Sequence, residues 1–237
     1  MYIPIKKRIK DLALQNQKEE ICGILYHTFD KAEMFPCKNI ALNSSTDFEI
    51  DSQQYLECCK LGKPYGIYHS HPSGKAAFSE SDLESANEIL LPYYLYSIED
   101  DKFLEYIPKN YELPVEGLNF IWGVYDCYEL VRIYFRQKFN IYMNDYDRDE
   151  TFESTDSNII MENFEKEGFH NANSTTLIKK NDVLVFHSSR AYPQHFGIFL
   201  GTSKMLHHPL GSLSRIETIT PNWQKRLQFV FRSNKPL

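Results

Sequence analysis

At 237 residues, with 42% hydrophobic and 24% charged side chains, the chain has the balance of a globular protein and the length for one large or two small domains. A net charge of −6 argues against bulk electrostatic binding to nucleic acid, and no run of 18 apolar residues offers a membrane span. Five scattered cysteines without a Cys-x-x-Cys pair do not make a disulfide framework and point to synthesis in a reducing compartment.

The basic start MYIPIKKRIKDL has no apolar stretch behind it, which predicts no signal peptide. Residues 4–19 read as a helix, because Pro4 suits a first turn and Ile5, Ile9 and Leu12 recur at helical spacing. Residues 21–26 are short and apolar like a buried strand, and 33–36 and 38–42 read as further strand. Alternation at Phe48, Glu49 and Ile50 precedes a helix capped at Asp51 or Ser52. Residues 68–71 read as a strand with His69 and His71 on one face, about 7 Å apart. A turn follows at 72–78, and Ser79-x-x-Asp82 then opens a helix whose apolar residues are Leu83, Ala86, Ile89 and Leu90. Strands at 93–98 and 103–107, joined by the acidic turn Glu99-Asp100-Asp101, complete a first domain over residues 1–108. The polar, aperiodic stretch 108–117 reads as the linker into a second domain, 109–237.

His69, His71 and Asp82 are suited to one divalent ion. Two imidazole nitrogens and a carboxylate leave a fourth tetrahedral position for water, as in a catalytic rather than a structural zinc site. Ser79-x-x-Asp82 is equally a helix-capping signature, and Ser79 can cap and still present its hydroxyl to a site. The order His-x-His, seven residues, Ser-x-x-Asp, with Glu20 ahead of Cys22-Gly23, resembles the JAMM (JAB/MPN) metallopeptidases. That resemblance implies Zn2+ on His69, His71 and Asp82, Glu20 as the proton acceptor, and Ser79 as a stabiliser of the developing oxyanion in amide or isopeptide hydrolysis.

In the second domain, Leu130, Val131, Tyr134 and Phe135 recur at helical spacing, which places Cys127 at a helix start with Asp126 as cap. Two readings stand. A helix N-terminus favours a reactive thiolate, and cysteine is also a common small buried residue. Arg132, Arg136 and Lys138 fit the later turns through the helix dipole. Residues 182–186 and 195–200 read as strands joined by a polar loop, with later strands at 204–208 and 227–232. His195 begins one strand and His207 follows twelve residues on, whereas His170, His187 and His208 read as surface histidines. A cysteine, a histidine and a third polar residue that orients the histidine form the logic of a thiol peptidase.

Asp126-Cys127, His195-Phe-Gly-Ile-Phe-Leu-Gly201 and His207 resemble the NlpC-type papain-like cysteine peptidases. The resemblance implies that Cys127 attacks, His195 carries the proton and His207 orients it, with peptidoglycan peptides as substrate. Tyr128-Glu129 departs from the usual Ser-Gly or Trp-Gly, and Asn181-Asp182 from Gly-Asp, which bears on the substrate groove. The expected fold class is α+β in two domains: a JAMM-type mixed sheet with flanking helices, then a papain-like NlpC-type domain. That succession resembles phage tail-tip assembly proteins. It implies other tail-tip proteins as partners, one of them of ubiquitin-like fold; the charge and the lack of an apolar run add the expectation of no nucleic acid and no stable membrane insertion. The implied locations are the host cytoplasm during synthesis and then the tail tip. The alternatives are a structural tail-tip component with one or both sites silent and a host-side deubiquitinase-like enzyme, which only the first motif supports.

Overall fold

A computed structural model of the chain describes residues 1–150, 159–173, 177–187 and 193–237. The chain is α+β with two sheets, and it divides into two compact units, Ile3–Glu112 and Met1–Tyr2 with Leu113–Leu237. Among the described residues no helix is long and apolar enough to cross a membrane.

The first unit runs α1 (Ile3–Gln15), β1 (Cys22–His27), β2 (Ala32–Cys37), α2 (Ser52–Leu61), β3 (Lys63–His71), α3 (Glu80–Ile89), β4 (Tyr93–Ser97) and β5 (Lys102–Tyr106). The sheet order is β2-β1-β3-β4-β5, with β3 and β4 parallel and the other pairs antiparallel. A parallel pair needs a crossover, and α3 supplies it. Strand β3 is central and its residues 65–70 are buried, so both of its faces are covered.

Helix α1 stops at Gln15 rather than at the expected residue 19. The Asn16 side-chain amide donates to the Leu12 carbonyl at 2.8 Å, taking the acceptor that the next backbone N–H would use. Residues 38–42 likewise do not form a strand beyond the Asn39–Ile50 bridge. There the Asn39 side chain replaces a ladder: its oxygen accepts from Ala41 and Glu49 N–H, and its amide donates to the Glu20 and Asp47 carbonyls.

The second unit holds α4 (Cys127–Phe139), α5 (Ile159–Asn163), β6 (Phe169–Asn171), β7 (Val183–His187), β8 (Pro193–Gly201), β9 (Lys204–His207), β10 (Arg215–Thr218), α6 (Pro221–Arg226) and β11 (Leu227–Ser233). Its sheet, ordered β10-β9-β8-β7-β11-β6, is antiparallel throughout. Alternation splits the strand residues between two faces. Val183, Val185, Phe196, Ile198, Leu206 and Phe231 pack with α4, whereas Leu184, Phe186, Met205 and Val230 turn to the side that holds Trp223.

Helix α4 is buried on all sides over residues 127–136, including Arg132 and Arg136, which the sequence reading assigned to the helix dipole. Arg132 is spent on Glu129, at 2.5 Å, and on the Met143 carbonyl, at 3.1 Å. Segment 143–148 closes the polar side of the helix: Arg148 pairs with Asp126 at 2.7 Å and with Asp145 at 2.9 Å.

Gly123 lies in the left-handed region at φ +66, and a Cβ there would come within 2.6 Å of Tyr2 Cα and 3.0 Å of the Arg148 carbonyl oxygen. Gly123→Ala is therefore expected to cost about 2 kcal/mol or more, read as a shift in the denaturant midpoint. An unshifted midpoint would show that this approach of backbones is not tight.

Candidate functional site

On β3 the two histidines share a face, with ring centroids 5.1 Å apart, and Ser70 faces the other way. Ser70 ties the strand to residue 21 twice: its N–H donates to the Ile21 carbonyl at 3.0 Å, and Ile21 N–H donates to its hydroxyl oxygen at 3.1 Å. Cys22 stands opposite His69 in the β1–β3 register. Continuing that register by two residues sets Glu20 opposite His71, and Glu20 Oε1 lies 3.5 Å from His71 Nε2. Helix α3 brings Asp82 Oδ2 to 3.5 Å from His69 Nε2 and 3.8 Å from His71 Nε2.

The loop between these groups is pinned by the acidic turn after β4. Gly74 N–H donates to Glu99 Oε2 at 2.6 Å and Ala76 N–H to Asp100 Oδ2 at 2.5 Å. Ser79 and Asp82 form the capping box: Ser79 Oγ accepts from Asp82 N–H at 3.1 Å, and Asp82 Oδ2 accepts from Ser79 N–H at 2.8 Å. The Ser79 hydroxyl also donates to Asp82 Oδ2, at 2.7 Å. The capping and ligand readings thus coincide, because one carboxylate closes the helix and faces both histidines.

The chemistry of the group fits a cation. One ligand atom from each of His69, His71 and Asp82 lies within 4.8 Å of the others, and the edges of a tetrahedral zinc shell are about 3.3 Å. His69 is fully buried, stacked on Phe48 at 4.5 Å, and neither of its ring nitrogens has a hydrogen-bond partner among the described residues. Buried polar atoms are normally satisfied, and an ion would satisfy this one. Burial and neighbouring His69 pull His71 below the usual imidazole range, which favours the neutral, ligating form. Burial opposes ionisation of Asp82, but His69 and Ser79 hold its carboxyl down at about 2. Burial, then the charges of Asp82 and Asp47, push Glu20 up to about 8. Two carboxyls in one pocket are driven apart, so that Asp82 is ionised where Glu20 can hold a proton. A cavity of about 750 Å³ opens beside them, with Phe48, Ile50, Tyr55 and Tyr93 among its walls.

In the second unit Asp126 fixes the start of α4. Its Oδ1 accepts from Tyr128 and Glu129 N–H at 3.1 and 2.9 Å, and its Oδ2 accepts from Gly123 N–H and Arg148 Nε at 2.9 and 2.7 Å. Cys127 follows as the first helical residue, 7% exposed, and none of the five cysteines is in a disulfide. On the adjacent strands, His207 stands opposite Gly197, with His195 two residues along on the same face. The missing side chain at Gly197 lets the imidazole lean across, so that His195 Nε2 and His207 Nδ1 lie 3.0 Å apart. Alternation turns half-buried His195 towards Trp223 and Phe196 towards α4, where Phe196 meets Tyr128 at 5.7 Å. The fold therefore joins His195 to His207 by a hydrogen bond, and joins Cys127 to the histidine strand through the packing of α4 on β8. Of the polar loop ahead of β8, residues 188–192 lie outside the described residues.

His208 corrects the sequence reading. It is fully buried rather than on the surface, against Phe120 at 5.2 Å, because residues 117–121 bond to Ser214 and cover it. Burial pushes it down to about 4, and burial also lowers His195 and His207. A depressed imidazole stays neutral in the fold while the unfolded chain takes a proton below about pH 6.5, so stability is lost as pH falls from there towards the folded value. From pH 7 to 4.5, His208 is expected to account for a loss on the order of 2 kcal/mol in this unit, and His208→Gln to remove that part. Denaturant titrations at the two pH values check it; an equal acid loss in the variant would contradict it.

Residues 4–106 match the prokaryotic homologs of the JAB domain, and residues 117–232 match the NlpC/P60 family. A JAB domain is thus followed by an NlpC/P60 domain. It is 27% identical to tail tip assembly protein K of Escherichia phage N15 over 215 residues, 90% of this chain and 87% of that protein. It is 27% identical to tail tip assembly protein K of Escherichia phage lambda over 183 residues, 77% of this chain and 88% of that one. Protein DSY2949 from Desulfitobacterium hafniense is similar in structure over 44% of this chain and 78% of its own, at 21% identity and a TM-score of 0.37.

Sequence reasoning missed residues in both domains. In the JAB domain it passed over Ser70, which sets the position of residue 21, and Phe48, which stacks on His69. In the NlpC/P60 domain it stopped at His207, whose Nε2 lies 3.3 Å from Glu217 Oε2. Trp223 Nε1 donates to the other Glu217 oxygen at 2.8 Å, and its ring covers both imidazoles, with centroids at 5.4 and 5.2 Å. The signal available was the alternation Arg215-Ile216-Glu217, which sets two opposite charges on one face of a strand.

Proposed function

We propose that this chain is a tail-tip assembly protein with two peptidase sites. The observation that carries the reading is the joined pair His195–His207 on β8 and β9, with the Cys127 helix packed on β8, and the JAB trio facing Glu20 accompanies it.

In the NlpC/P60 domain, the Cys127 sulfur attacks an amide carbon of a peptidoglycan peptide, and the thiol proton passes to His195. His195 returns that proton to the leaving amine as the C–N bond breaks, and water then releases the acyl group from Cys127. His207 holds the imidazole in its plane.

In the JAB domain, His69, His71 and Asp82 would hold Zn2+, which supplies Lewis acidity and a lowered pKa for the attacking water. Glu20 accepts the water proton and delivers it to the leaving amine, and the Ser79 hydroxyl turns from Asp82 to donate to the developing oxyanion. The substrate of this site is an amide of a tail protein, one of ubiquitin-like fold. The names of the N15 and lambda relatives support tail-tip proteins as partners and the tail tip as the place of action, after synthesis in the host cytoplasm.

A second reading, an assembly component with silent sites, is favoured by the 7% exposure of Cys127. Digestion of purified cell wall, with products read by mass spectrometry, separates the two. The peptidase reading expects stem or crosslink peptides from wild type and from Glu20→Ala and none from Cys127→Ala. No products from wild type, in protein that binds zinc, would favour the assembly component.

A further inference from the structure

We propose that Glu217 is a positioning residue that sets the tautomers of both His207 and His195, leaving His195 Nδ1 as the bare, proton-accepting nitrogen. The inference deepens the cysteine-peptidase reading and rests on it for its link to catalysis.

Three donors converge on the Glu217 carboxylate: Trp223 Nε1 on Oε1 at 2.8 Å, and Arg215 Nε at 3.0 Å and His207 Nε2 at 3.3 Å on Oε2. A carboxylate only accepts, so His207 must carry its proton on Nε2. The His207 Nδ1 is then a lone pair and, 3.0 Å away, can only accept from His195 Nε2–H. A neutral imidazole carries one N–H, so His195 Nδ1 is left unprotonated, as a base towards a thiol requires. Each step follows from donor and acceptor counts, and the acid at the end of the chain dictates the nitrogen at its start.

The surroundings hold this order in place. Trp223 contacts both imidazoles and Phe186, and Arg226 sits over its ring at 4.6 Å. The charged and titratable groups acting on His195 are His207, Arg226, His208 and Arg215, and burial and these neighbours lower it. Burial opposes ionisation of Glu217, but Trp223, Arg215 and His207 together hold it below the ordinary carboxylate range, so it remains the acceptor at neutral pH. When His195 takes a proton, this carboxylate is the nearest negative charge along the ladder.

Glu217→Gln keeps the size of the side chain but replaces one acceptor oxygen with a donor, so Trp223 or His207 faces a donor–donor clash. The relief is a His207 proton on Nδ1, which donates to His195 Nε2 and moves the His195 proton to Nδ1.

The test uses the full chain carrying 15N-labelled histidine and long-range 1H–15N correlation spectra, which report the protonated nitrogen of each ring without any turnover. The expected result is His207 Nε2–H and His195 Nε2–H in wild type, with both protons on Nδ1 in Glu217→Gln. Wall-peptide turnover should fall about 100-fold in the same variant, and Glu217→Gln should add nothing in a His207→Gln background. The opposite wild-type tautomers, or tautomers unmoved by Glu217→Gln, would overturn the proposal. Switched tautomers, with Cys127→Ala no less active than wild type, would leave the positioning role standing and remove the cysteine-peptidase reading instead.

Discussion

Asp82→Ala is expected to abolish Zn2+ binding by the JAB domain, measured by calorimetry and by metal content. Asp82 is the only carboxylate among the three ligating groups, and it is within 3.8 Å of both histidines. The substitution also deletes the reciprocal half of the α3 cap, worth about 1 kcal/mol, so Asp82→Asn, which keeps a side-chain acceptor for Ser79 N–H, separates lost ligation from a frayed helix. Ser79→Ala leaves the three groups in place but removes the 2.7 Å hydrogen bond that orients Asp82, and a 10- to 100-fold weaker Kd, roughly, is expected. Glu20→Gln should retain the metal. Zinc at 100-fold its Kd should stabilise wild type by about 2.7 kcal/mol and Asp82→Ala not at all. Stoichiometric zinc in folded Asp82→Ala would show that the ion sits elsewhere.

The second large effect concerns the NlpC/P60 site. His195→Ala is expected to lower wall-peptide cleavage by about 10³-fold or more, close to the loss in Cys127→Ala, because proton transfer and nucleophile formation fail together. The double variant should be no worse than either single one, as holds for groups that act as a unit. His207→Ala should cost less, about 10- to 100-fold, since His207 works through the orientation of His195 and not on the substrate itself. Independent, multiplying losses in the double variant would separate Cys127 from His195 and place the histidine pair in another role.

The α+β class and the succession of a JAB homologue and an NlpC/P60 domain were legible in the sequence because each rests on local signals. His69 and His71 are two residues apart on a strand, and Ser79 and Asp82 are three apart at a helix start, so their mutual placement needs only the two regular periods. The start of α4 was legible for the same reason, since Asp126 caps the helix that begins one residue later. The features that escaped are set by register and by the return of distant strands. Glu217 reaches His207 diagonally across β9 and β10, which no local spacing shows. His208 was misread because its cover comes from residues 117–121, some ninety positions earlier in the chain. The burial of Arg132 escaped because the 143–148 segment folds over that side of the helix. Helix α1 ended early through a single asparagine amide that competes for a carbonyl, a side-chain choice that helical periodicity does not reveal.

The central claim is that Cys127 on α4 and His195 on β8 work as one pair. The most direct measurement is the rate of iodoacetamide alkylation of Cys127 against pH, resolved peptide by peptide because Cys59 is exposed and reacts too. The account predicts that Cys127, with neutral His195 beside it to take the thiol proton, is alkylated at neutral pH at least about tenfold faster in wild type than in His195→Ala. Superimposable profiles for the two proteins would contradict it.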